Sequence, residues 1–160
     1  MLVVSDTSAI TNLMHIGQLN ILRALYKQIY IPPAVYSELC VLEIQKKKLE
    51  NQNWIIIHHV TERVIIEQFE KDLDIGEVEA IALAFEFNAD YLLIDELKGR
   101  KFAEKLGLKV VGLLGILIKA KREKVIPKVK PLVEMLINSA GFRIHPELYT
   151  EVLKIADELQ

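Results

Sequence analysis

The sequence predicts an α/β fold: a three-layer α/β/α sandwich around a parallel sheet of about five strands, with further helices at its C-terminal end. Three observations predict it. Short runs rich in β-branched residues alternate with longer stretches of helical periodicity. Most of those runs are apolar at consecutive positions, as strands buried on both faces are. Turn and capping residues separate one run from the next.

The elements follow in order. LVVS (2–5) stops on Asp6, where Asp and Ser residues that cap helices open a helix over 8–14. A second helix spans 19–26. QIYI (28–31) reads as the next strand, and Pro32 and Pro33 follow it, where a strand hands over to a helix and a missing N–H costs little. That helix is predicted to run unbroken over 34–47. WIIIH (54–58) is the third strand, followed by helices over 62–71 and 77–87. YLLI (91–94) is the fourth, followed by a helix over 97–106 that Gly107 closes. KVV (109–111) is the fifth, followed by helices over 113–121, 129–139 and 147–158. The whole chain, 1–160, reads as one domain. Two prolines near 126–131 mark where a helical extension, 127–160, begins to pack on it.

Composition agrees with a folded domain: 51% of residues are hydrophobic and 26% charged, which excludes a disordered or fibrous chain. The longest apolar run, VVGLLGILI (110–118), ends at Lys119 and falls short of the ~20 residues a membrane span needs, so no membrane association is expected. The N-terminus lacks a basic region ahead of an apolar one, and the expected compartment is the cytoplasm. Cys40 is the only cysteine, which excludes an internal disulfide and a cysteine-rich zinc site. Charge is uneven although the net is only −2. Residues 61–95 hold ten acids against Arg63 and Lys71, and residues 96–130 hold eleven bases against three acids. An acidic centre beside a basic rim, or simply solvated helix faces, would produce this pattern.

In an open parallel sheet, ligands bind beyond the carboxyl ends of the strands. Asp6 and Asp95 each end a strand, Glu38 lies in the helix after the second strand, and Glu77 opens the helix before the fourth. Each acid alone has a local role available, as a cap or as a partner of a helix dipole. Together they imply more. Two carboxylates about 5 Å apart repel by roughly 3 kcal/mol at an effective dielectric of ~20. A divalent cation removes that penalty, and an all-oxygen site suits Mg²⁺ or Mn²⁺. Ser8 would then cap the helix and steady Asp6 by a hydrogen bond. Glu79 is a rival to Glu77, but the two stand about 200° apart around a helix and cannot both aim at one ion.

Three stretches give this sequence a resemblance to a known family: SDTSAITNL, IYIPPAVYSEL, and LDIGEVEAIALAFEFNADYLLIDELKGRKFAEKLGLKVVG. They resemble PIN-domain proteins, in particular compact prokaryotic members related to VapC-type toxin ribonucleases. The resemblance implies that Asp6, Glu38, Glu77 and Asp95 are the acids binding Mg²⁺ or Mn²⁺, and that the reaction is hydrolysis of RNA phosphodiesters without a protein nucleophile. It further implies an antitoxin protein as partner and a homodimer. Lys98, Arg100 and Lys101, which closely follow Asp95, would hold RNA phosphates. The sequence departs from the family pattern at Leu93, where many members have Thr or Ser.

Two other readings stay open. One is a non-catalytic PIN-like module that binds a partner or regulates. The other is an Asp-dependent phosphotransfer enzyme, which Ser8 weakens because such phosphatases place a second acid there. For the C-terminal helices, the apolar residues Leu132, Met135, Leu136, Leu148, Val152 and Ile155 indicate either core cover or a dimer surface.

Overall fold

The computed structural model describes residues 1–160. Its sheet has five strands, all parallel: β1 (Val3–Ser5), β2 (Ile29–Ile31), β3 (Ile55–Ile57), β4 (Tyr91–Leu93) and β5 (Val110–Val111). They lie in the order β3-β2-β1-β4-β5. The chain therefore builds outward from β1 on one side, then returns to add β4 and β5 on the other. Ser5 of β1 pairs with Leu93 of β4, and Val4 with Tyr30 of β2. The order reverses at β1, and a crevice at the carboxyl end of such a reversal is where open α/β sheets bind ligands.

Ten helices flank the sheet: α1 (Thr7–His15), α2 (Asn20–Tyr26), α3 (Pro33–Leu39), α4 (Glu43–Glu50), α5 (Val64–Phe69), α6 (Ile75–Phe87), α7 (Leu97–Lys105), α8 (Leu113–Arg122), α9 (Lys130–Ser139) and α10 (Pro146–Ile155). None is long and apolar enough to cross a membrane. The central strands are apolar on both faces because helices cover both: Val3, Val4, Leu92 and Leu93 are almost fully buried. β3 departs from that expectation. It is an edge strand, and Ile57 is 47% exposed.

The helix expected over 34–47 is broken in two. Residues 40–42 leave the helical path, Leu42 takes an extended conformation ahead of α4, and Val41 and Leu42 face solvent. No Gly or Pro marks the break, so apolar periodicity carried the expected helix across it. Cys40 ends α3, half-buried, and is not an interior helix residue.

The C-terminal helices contribute to the same core as the sheet, with Leu132, Val133, Leu136, Val152 and Ala156 all inside it. Met135, Leu148 and Ile155 remain exposed on the outer sides of α9 and α10. One side chain ties this region together. Glu158 accepts hydrogen bonds from the N–H groups of Val129 and Lys130 at the start of α9, and pairs with Lys121 of α8 at 3.0 Å. Burial pushes this carboxyl up, but those N–H groups and the ammonium outweigh it and hold it below its ordinary value. Glu158→Ala should therefore destabilise the protein by about 1–3 kcal/mol, the range for hydrogen bonds to a charged group. Thermal unfolding at pH 7 measures it. Because the carboxyl is held low, the penalty should shrink as acid protonates it in the native protein.

Candidate active site

The carboxyl edge of the sheet is where the acids meet. β1 ends in Asp6, whose extended backbone caps α1, and whose N–H donates to the carbonyl of Leu93 in β4 at 2.9 Å. That bond fixes Asp6 beside the end of β4, and Asp95 lies two residues beyond that strand. Glu38 sits in the last turn of α3. Glu77 is in the first turn of α6, in a capping box with Asp74: the Glu77 N–H donates to Asp74 at 2.9 Å and the Asp74 N–H donates back to Glu77 Oε1.

Asp6, Glu38 and Glu77 line one cavity of about 230 Å³, together with Ser8. Thr7, Asp74 and Glu96 complete its wall, and no hydrophobic residue takes part. Asp95 does not line it, but its charge reaches Asp6. Asp6 is only 3% exposed. Burial pushes its carboxyl up to about 7; Ser8 opposes the shift by donating hydrogen bonds, and the Asp95 charge adds to it. Burial also pushes Glu77 up to about 8, helped by its hydrogen bond with Asp74 and the charges of Asp74 and Glu96.

No lysine or arginine neutralises this cluster. The molecule has three ion pairs, Lys98–Asp72, Lys119–Glu123 and Lys121–Glu158, and none involves a residue of the cavity wall. What makes so much negative charge tolerable is partly the direction of the helices. Asp6 caps α1, Glu77 lies in the first turn of α6, and Glu96 caps α7 by accepting from the N–H of Gly99 at 2.9 Å. Asp95 accepts from the N–H of Leu113 at the start of α8, also at 2.9 Å. Helix N-termini favour carboxylates at roughly 0.3–1 kcal/mol each, less than the repulsion among several acids.

Glu79 lies outside the cavity wall. Its carboxylate accepts from the N–H of Ala34 at 3.1 Å and so fastens the start of α3. Lys98 reaches Asp72 at 4.0 Å, and Lys101 is exposed. Arg100 is half-buried and flanks Asp95 without pairing with it: its Nη1 and Asp95 Oδ1 each lie 3.0 Å from where a Cβ on Gly112 would be. Sequence reasoning missed three members of the wall. Asp74 and Glu77 carry the capping-box spacing, which was a visible signal. Thr7, which donates to Glu38 Oε2, and Glu96 had none beyond their neighbours.

A parallel sheet with acidic side chains lining a cavity where its strand order reverses defines an α/β protein whose candidate site lies where such sheets bind ligands. The chain belongs to the PIN-domain family: the model of that family, DUF3368, matches residues 2–158. PIN domains have a nuclease-type fold, generally act as nucleases and typically use divalent metals. No curated protein matches the chain.

The donors fit such a metal in kind. All are carboxylates, none is in an ion pair, and Glu77 Oε2 is buried with no hydrogen-bond partner at all. An unpartnered buried acceptor of this kind costs about 1–3 kcal/mol. As the side chains stand, no three of them are close enough to share one ion. Asp6 is held by Ser8, Glu38 by Thr7, Glu77 by Asp74 and Asp95 by Leu113. Sharing an ion requires some of them to leave these rotamers.

Proposed function

We propose that this protein is a Mg²⁺- or Mn²⁺-dependent endoribonuclease and the toxin of a toxin–antitoxin pair, acting in the cytoplasm as a homodimer. One observation carries the nuclease reading: an acidic cavity at the sheet's reversal point, with Asp6 buried at its base, has no ion-paired base in its wall and holds an unsatisfied carboxylate oxygen. Asp6 and Asp95 would hold the cation, with help from Glu38 and Glu77. When bound, it supplies Lewis-acid polarisation of the phosphate and a water acidic enough to attack at neutral pH.

The chain's own residues do the rest. Ser8 orients Asp6 through two bonds to Oδ1, each 3.1 Å, and Thr7 orients Glu38. Arg100, with Lys98 and Lys101 on the same helix, holds phosphates at the rim, where the acids alone would repel them. Hydrolysis adds a water oxygen to phosphorus and breaks one ester P–O bond, and no side chain needs to form a covalent bond.

Purified protein should cleave RNA with Mn²⁺ and not with EDTA. Glu77→Gln should lower the rate about 100-fold, because the cation loses one of the carboxylates that hold it. Glu79→Gln should stay within about twofold, since an amide oxygen still accepts from Ala34. Equal losses in both variants would remove Glu77 from the site. A second reading, a PIN-like module that binds a partner without cleaving, is favoured by the lack of three gathered carboxylates. Undiminished RNA in the presence of Mn²⁺ would select it.

A further inference from the structure

We infer that Gly76 is a positioning residue for Glu38, and that its missing side chain is the seat on which the second acid of the site rests. The inference builds on the reading of Glu38 as a member of the metal-binding set. Gly76 is the second residue of α6 and is buried between that helix and α3. A Cβ placed on it would lie 2.5 and 2.6 Å from the two carboxylate oxygens of Glu38, and 2.8 Å from its Cδ. These separations are shorter than any real methyl tolerates, so Glu38 occupies the space a side chain at position 76 would fill. The opposite flank of the carboxylate is held by the Thr7 hydroxyl. Glu38 is thus clamped between the first turn of α1 and the first turn of α6, whose N-terminal dipole favours its charge.

The arrangement is repeated in part around the site. A Cβ on Gly112, the cap of α8, would lie 3.0 Å from both Asp95 Oδ1 and Arg100 Nη1, and one on Gly99 in α7 would lie 2.8 Å from Ile94 Cδ1 and 3.0 Å from Glu77 Oε2, so only at Gly76 is a carboxylate the sole close neighbour among the three. Gly115, also in α8, meets only the side chain of Val111 at 3.2 Å, and Gly17, Gly107 and Gly141 meet nothing within 4 Å. Gly76 is the tightest case. In helix propensity alone Gly76→Ala should help, because Gly in a helix is less favourable than Ala by roughly 0.5–1 kcal/mol. The three atoms nearest the added methyl all belong to Glu38, so the loss expected is that of a displaced carboxylate.

The test pairs Gly76→Ala with a shorter acid, Glu38→Asp, which withdraws the carboxylate by one methylene. Gly76→Ala alone should lower Mn²⁺-dependent RNA cleavage by about 100-fold, the effect expected of a misplacement near 1 Å, and mostly in kcat. Gly76→Ala/Glu38→Asp should recover at least about tenfold of that loss, or restore folding if Gly76→Ala does not fold. Gly115→Ala, a glycine-to-alanine change in a helix away from the acids, should leave the rate unchanged. Thermal unfolding of wild type, Gly76→Ala, Glu38→Asp and the double variant should show the Gly76 and Glu38 changes to be non-additive. A Gly76→Ala protein as active as wild type would overturn the inference, and so would a double variant no better than Gly76→Ala. If the wild-type protein cleaves nothing, the nuclease reading fails, while the unfolding cycle still reports whether Gly76 seats Glu38.

Discussion

Asp6→Asn should abolish cleavage, by about 10³-fold or more, and should also make the ion-free protein more stable at pH 8. The two effects have one cause. Asp6 is 3% exposed, faces the Asp95 charge, and has no basic partner. Its rise from 3.8 to about 7 corresponds to about 4 kcal/mol spent on keeping it ionised in the folded chain, an upper bound for what neutralisation returns. Asparagine keeps the shape and remains a good N-cap that can accept from Ser8, so the fold loses little. The buried charge that would hold a dication disappears. Cleavage assays with Mn²⁺ and thermal unfolding in EDTA measure the two sides. A variant that loses stability along with activity would mark Asp6 as a structural cap.

The second large effect concerns pH. In EDTA, stability should fall steadily from pH 5 to pH 8. Asp6 and Glu77 both bind protons more tightly when folded than when unfolded, from 3.8 to about 7 and from 4.5 to about 8. A group raised in this way stabilises the fold fully below its unfolded value, and that stability is lost as pH rises through the folded one. Glu86 and Glu158 are shifted downward and act oppositely, so stability also falls on the acid side. Glu77 is only partly shielded from water, so most of the alkaline loss should come from Asp6. A loss of about 3 kcal/mol would lower the melting temperature by roughly 6–12 °C in a chain of this size. Mn²⁺ at about 100 times its dissociation constant should return about 2.7 kcal/mol at pH 8 and little at pH 5, where protons compete. A melting temperature that rises steadily from pH 5 to pH 8 in EDTA would contradict the picture of a buried, unpaired carboxylate.

Much of this was legible in the chain. LVVS and YLLI are apolar runs that end at or next to an aspartate, and an acid at the end of a buried strand can only lie at the sheet's carboxyl edge. That places Asp6 and Asp95 before any coordinates do. The choice between Glu77 and Glu79 was not legible, because helical spacing separates their directions without saying which faces the cavity. The break after Leu39 was hidden for a different reason. Val41, Leu42 and Ile44 continue an apolar pattern although the folded chain leaves them exposed, so composition there does not report burial. Thr7 and Glu96 became visible only as cavity walls, since their places depend on contacts between segments far apart in sequence.

The interleaved strand order has a consequence for how the molecule comes to be. β1 is made first, yet its neighbour β4 is made only after β2, β3 and the helices between them. A nascent chain that has passed Glu77 but not Tyr91 already carries Asp6, Glu38 and Glu77, but has no fourth strand to set Asp95 beside the first. Such non-local pairing is intrinsically slow to form. On the proposed reading, cleaving power therefore waits until the fourth strand has been made and has joined the first.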